Sequence, residues 1–158
     1  MVEKLKMIWQ DAKQLKDERG LTLVELLVVV VILGIIAAIA VVAIGGIIEN
    51  SKKDAMVADA KQMVSAAKLY TASNPVSANT TMKFTGTVAT GEADGSTYVD
   101  NLKDPFGANY STANVIIKPS GNKYTYEVQL VGSKAIGQAT PVTEGSLSKE
   151  SIKEKTTN

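Results

Sequence analysis

The chain has 158 residues, 45% hydrophobic and 21% charged, with Lys+Arg 17, Asp+Glu 16 and a formal charge of +1. No contiguous basic block stands out, which disfavours electrostatic binding to nucleic acid. Histidine and cysteine are both absent, which removes disulfides, thiolate zinc sites, cysteine nucleophiles and every triad that needs an imidazole.

The even composition hides a partition along the chain. Residues 1–20 are polar and heavily charged, with Lys4, Lys6, Lys13, Lys16 and Arg19 as the basic members. Residues 26–48, LLVVVVILGIIAAIAVVAIGGII, carry no charged or hydrogen-bonding side chain. At about 1.5 Å per residue this block spans about 35 Å, against a hydrocarbon core of about 30 Å. A core helix of a soluble protein would show a polar stripe, and a removable secretory signal would have an apolar stretch of only about 7–15 residues. The block therefore reads as a membrane span. The basic residues ahead of it outnumber Lys52 and Lys53 close behind it, which predicts a single-pass protein with a cytoplasmic N-terminus and its bulk outside.

Glu25 stands at the edge of this apolar block. An ionised side chain costs up to about 3 kcal/mol at the centre of a membrane and less near the interface. It either snorkels toward headgroups or finds a partner. Gly20 marks the junction between the charged and apolar segments, and a glycine there favours an extended, accessible backbone.

Gly20 followed by Leu21-Thr22-Leu23-Val24-Glu25 and a long apolar helix resembles the class III signal of type IV pilins and pseudopilins. That pattern is Gly, then Phe, Ser or Thr, Leu, an aliphatic residue and Glu; leucine stands here where the family usually has phenylalanine. The resemblance implies cleavage by a prepilin peptidase between Gly20 and Leu21 and N-methylation of the new amino terminus at Leu21. It also implies that Glu25 pairs with the free α-ammonium of a neighbouring subunit, setting register in a filament of this chain and other pilins. A membrane platform protein and an assembly ATPase would drive assembly from the lipid bilayer.

Beyond the apolar block, residues 49–73 place Met56, Val57, Ala60, Met63, Val64, Ala67 and Tyr70 at three- and four-residue spacing, predicting an amphipathic continuation of the helix. Ser73-Asn74-Pro75 ends it, because proline has no amide hydrogen and pushes the residue before it out of the helical region. Gly34 matches a helix glycine common in the family, whereas the proline often found some way after it is replaced by Val42. Gly34 and Gly45-Gly46 are soft points of the helix, or sites of close approach between helices.

Residues 74–139 are predicted to form a globular head. Residues 81–89 alternate well enough for a strand, 96–102 suggest a short second one, and 115–118 with 123–131 flank the turn Pro119-Ser120-Gly121-Asn122 as a β-hairpin. In the last strand Tyr124, Tyr126, Val128 and Leu130 share a face that the amphipathic helix is placed to cover. The fold class is thus α+β: a long N-terminal helix, membrane-spanning in its first half and amphipathic in its second, packed on a small antiparallel sheet of three or four strands. Residues 140–158, polar with balanced charge, are expected to be a mobile tail.

Asp104-Pro105-Phe106-Gly107-Ala108-Asn109-Tyr110 is similar to the Asp-Pro-Trp-Gly-x-x-Tyr loop of major type II secretion pseudopilins, with Phe106 for tryptophan. In those proteins a neighbouring loop binds calcium, so Asp94, Asp100 and Asp104 are candidate oxygen ligands. No spacing among them approaches a defined calcium loop, and turn formation explains them more simply. No other cofactor is expected.

The leading reading is a structural prepilin subunit of a type IV pilus or of a secretion or competence pseudopilus. The alternative is a minor tip subunit that contacts DNA, a surface or a secreted substrate; tip subunits of the family often lack the glutamate, so Glu25 favours a body subunit. A membrane-anchored enzyme would need a carboxylate dyad or a metal site, for which the same three aspartates are the only loose candidates. No enzymatic activity is expected.

Overall fold

A computed structural model describes residues 2–107 and 109–157, with the backbone alone at residues 15–21. The chain divides into two compact units, Met1–Ile47 and Ile48–Asn158.

The first unit is made by helix α1 (Val2–Ser73), which continues into the second. The expectation of an extended backbone at Gly20 is not met, since the helix runs through it. Residues 2–19 are largely Lys, Leu, Gln, Ala, Met and Glu, all good helix formers, and one glycine costs only about 1 kcal/mol against them. Every large apolar side chain of residues 23–48 is exposed. Among the described residues this is one helix long and apolar enough to cross a membrane. A Cβ added at Gly34, Gly45 or Gly46 would meet open space, so these positions leave the helix surface free for close approach by another helix.

In the second unit the helix turns one face to a sheet. Met56, Ala60, Met63 and Ala67 are fully buried and Val64 nearly so, on the spacing expected of one helical stripe. Burying each large side chain contributes about 1.5–3 kcal/mol. The helix ends at Ser73, where the Asn74 backbone N–H and side-chain amide both donate to the Tyr70 carbonyl oxygen, at 2.8 and 3.3 Å.

Seven strands follow among the described residues: β1 (Thr80–Lys83), β2 (Ala93–Asp94), β3 (Thr112–Ser120), β4 (Lys123–Val131), β5 (Lys134–Ile136), β6 (Val142–Thr143) and β7 (Ile152–Glu154). Their order is β2-β1-β3-β4-β5-β7, with β6 paired to β4. The architecture is α+β and pilin-like. The sheet is larger than the three or four antiparallel strands expected, and it is mixed, because β1 and β2 run parallel.

The β3–β4 hairpin is its centre. Ser120 pairs with Lys123, leaving a two-residue turn whose first position, Gly121, has φ of 61°, as a type II′ turn requires. Ala113, Val115 and Ile117 of β3 and Tyr126, Val128 and Leu130 of β4 point into the core. Two phenols tie this sheet to the end of α1. Tyr126 Oη shares a buried hydrogen bond with Thr71 Oγ1 at 2.8 Å, and the Val76 N–H donates to Tyr124 Oη at 3.1 Å.

Three other expectations need correction. The strand read at 81–89 is confined to Thr80–Lys83, since Gly86 with φ of 80° breaks the alternation. The strand read at 96–102 is replaced by β2, after which the Tyr98 and Val99 N–H groups turn back to the Gly95 carbonyl oxygen. The tail over 140–158 is not a free end. It supplies β6, two 3₁₀ turns and β7. Leu147 is buried against the core and Ile152 packs beside it, while the Thr156 N–H donates to Gln138 Oε1 at 2.9 Å.

Candidate functional site

Two regions carry the residues singled out in the sequence. In the first unit, Glu25 is exposed on α1 and flanked by the exposed side chains of Leu23, Val24, Leu26 and Leu27. It is a carboxylate on an otherwise hydrocarbon surface, which is a stable arrangement only where water, headgroups or a cation meet it. The side chain of Leu21, and all detail at Gly20 beyond its helical backbone, lie outside the described residues.

The second region is the loop before β3. Asp104 is buried, 3% exposed, and its two carboxylate oxygens are both used. The Phe106 N–H donates to Oδ1 at 2.9 Å, closing an Asx turn, and the Ser133 N–H donates to Oδ2 from the β4–β5 connection. Gly132 and Gly107 make room for this: a Cβ at Gly132 would fall on the Asp104 carboxylate, and one at Gly107 on Ser133 Oγ. Lys52 Nζ and Lys134 Nζ lie 5.8 and 5.2 Å from the centroid of the Phe106 ring, a cation–π arrangement. Lys134 also bridges Glu154 at 2.8 Å and Glu49 at 3.4 Å.

Tyr110 closes the same loop. It is buried, and its hydroxyl donates to Asp59 Oδ2 at 2.7 Å. Burial pushes the Asp59 carboxyl above its ordinary range, the Tyr110 hydrogen bond opposes that shift, and the charge of Asp104 adds to it. The Tyr110 phenol is pushed far up, first by burial and then by the adjacent Asp59 carboxylate. Sequence reasoning missed Asp59. The signal was present, since a charged residue three after Met56 and four before Met63 sits on the edge of the apolar stripe.

The three candidate calcium ligands fall in different settings. Asp94, on edge strand β2, accepts from the Ser96 N–H at 2.9 Å and the Ser96 hydroxyl at 2.6 Å. Asp100 is exposed, and Asp104 is the buried hub described above. Among the described residues no group of three acidic side chains gathers as a ligand set. A separate cleft of about 380 Å³ lies beside β5 and β7; its lining mixes apolar residues such as Ala135, Ala139 and Val142 with polar ones such as Gln138, Thr140 and Ser146 and the charged Lys153 and Glu154.

An exposed apolar helix with a carboxylate near the start of its apolar run, leading into a small α+β head, is the arrangement of a pilin-like subunit. Residues 15–41 match the family model of the prokaryotic N-terminal methylation motif. The chain thus carries the class III signal of type IV pilins on its long N-terminal helix, and the motif supports a type IV pilin-like prepilin processed by a peptidase. No curated protein and no solved structure matches the chain.

Proposed function

We propose that this protein is a structural prepilin whose processed form polymerises into a helical filament with the apolar helices inside. The observation that carries this reading is the methylation motif at residues 15–41, set on a helix whose large apolar side chains over residues 23–48 are all exposed. Such a surface is stable in a bilayer or against copies of itself, and not in water. Cleavage falls between Gly20 and Leu21, and the freed amino group of Leu21 is methylated. The mature subunit waits in the membrane until a platform protein and an ATPase draw it into the filament, with the head on the outside.

Glu25 supplies register in this scheme. Inside an apolar filament an unpaired carboxylate would cost several kcal/mol, and so would the charged amino terminus of the next subunit. Pairing them removes both penalties at one axial position only. The assembly is open and heterologous, each subunit offering one surface to a different surface of the next. Within this scheme Glu25 favours a body subunit, and the Asp104–Tyr110 loop favours the secretion type of pseudopilus over a surface pilus.

Mass spectrometry of the sheared-filament fraction tests the reading. An N-terminal methyl-leucine at Leu21 is expected. Assembled material that retains Met1 would overturn it.

A further inference from the structure

The segment ahead of Gly20 has an apolar face of its own. Val2, Leu5, Ile8, Trp9 and Ala12 recur at three- and four-residue spacing on α1 and so share one side. The large members are all exposed, Trp9 at 72%. Lys6 and Lys13 form a rim: with Val2, Leu5, Trp9 and Gln10 they line one shallow concavity, and Lys13 Nζ lies 5.8 Å from the centroid of the Trp9 ring. By helical spacing, Glu3, Asp11 and Gln14 fall on the other side, together with Met7. Cations thus border the apolar face while carboxylates are kept from it.

We propose that this face binds the surface of an anionic phospholipid bilayer, with residues 2–14 lying in the membrane plane. An apolar face bordered by lysines and carrying a tryptophan is the pattern of an interfacial helix. Its occupant is also the nearest surface available, because the same unit continues into the membrane-spanning residues, and a tether that short holds the face at high effective concentration beside the lipid. A helix in the plane must turn where the span begins. α1 runs unbroken through Gly20 in the structure, so docking in the plane requires a bend at that junction, which a glycine permits at least cost. On the prepilin reading, on which this consequence rests, docking bares the Gly20–Leu21 peptide bond at the membrane surface, where a membrane peptidase can reach it.

The chain contains one tryptophan, so Trp9 fluorescence reports this segment without labelling. The full-length protein is reconstituted in phosphatidylcholine vesicles with and without phosphatidylglycerol. With phosphatidylglycerol present, Trp9 emission shifts to the blue, is quenched by lipids brominated on the acyl chains, and is shielded from acrylamide. In the Lys6→Gln/Lys13→Gln double variant, which keeps the apolar face, the ratio of docked to free segment falls roughly thirtyfold. Wild-type Trp9 that stays open to acrylamide and untouched by brominated lipid overturns the proposal, as does equal quenching of wild type and double variant. Peptidase cleavage is scored on the same vesicles: lipid-docked Trp9 without cleavage counts against the prepilin reading alone, and cleavage with a solvent-exposed Trp9 counts against the docking alone.

Discussion

Tyr110, in the loop before β3, donates its hydroxyl to Asp59 of the helix across 2.7 Å, while Asp104 a few residues earlier adds negative charge to the same spot. One phenol therefore fastens loop to helix and shares its surroundings with two carboxylates. This cluster belongs to the stability of the head, and it makes that stability depend on pH.

Tyr110→Phe removes a hydrogen bond to a charged acceptor and is expected to cost about 1.5–3 kcal/mol at neutral pH. Asp59→Asn keeps an acceptor for Tyr110 and is expected to cost less. Thermal unfolding of the two variants beside the wild type checks the order; an equal or larger loss for Asp59→Asn would contradict it.

The sign of the pH dependence follows from the direction of the shifts. Asp59 holds its proton to higher pH in the folded chain than in the unfolded one, whose carboxyl titrates near 3.8. The folded state then binds more protons in the interval above that value, so this group's contribution to stability falls as pH rises through it. Tyr110 acts in the same sense above about 10, where the unfolded phenol ionises and the folded one does not. Unfolding measured against pH should show an alkaline loss that is shallower in Tyr110→Phe, and the Asp59 loss should vanish in Asp59→Asn.

Gly132→Ala places a methyl group on the Asp104 carboxylate. The loop must shift or the Ser133 N–H must lose its acceptor, at an expected cost of about 1–3 kcal/mol. Gly121→Ala meets no atom but must hold φ of 61°, so its expected cost, about 1 kcal/mol, comes from the backbone alone. Denaturant unfolding separates the two, and a larger loss at Gly121 would show that the Asp104 hub is looser than its contacts indicate.

Glu25→Val exchanges the carboxylate for an aliphatic side chain and lowers the cost of membrane insertion. Under the proposed function, cleavage continues and filament yield collapses. Wild-type amounts of sheared filament from a Glu25→Val strain would remove the register role.

Hydrogen exchange should find the amides of β7 protected together with those of β5, since Ile152 pairs with Ile136 and Glu154 with Lys134. Exchange at the rate of an unstructured chain over residues 152–154 would return this segment to a mobile tail.

Calcium is testable in the same head. Asp94 already accepts from Ser96, and Asp104 from Phe106 and Ser133, so a metal would have to displace these donors. The expected melting curve is the same with calcium and with chelator, and a calcium-dependent rise would assign an ion to the loop.

Local chemistry made part of this protein legible in its sequence. An uncharged block such as residues 26–48 is stable only out of water whatever follows it, the stripe from Met56 to Ala67 needs a cover, and Asn74-Pro75 ends a helix by removing a donor. The hairpin was equally plain, because alternation and a Gly-Asn turn are short-range signals. Other features required the folded chain. Asp59 meets Tyr110 across 51 positions of sequence, and Asp104 receives the Ser133 N–H from a strand connection that nothing local marks. The polar stretch from Thr140 onward looked solvated, yet it completes the sheet through sparse anchors: Leu147 in the core, Ile152 opposite Ile136, and Thr156 on the Gln138 amide. Composition reports the average affinity of a segment for water. Whether a few of its residues find partners is decided by backbone hydrogen bonds and contacts that exist only once distant strands lie side by side.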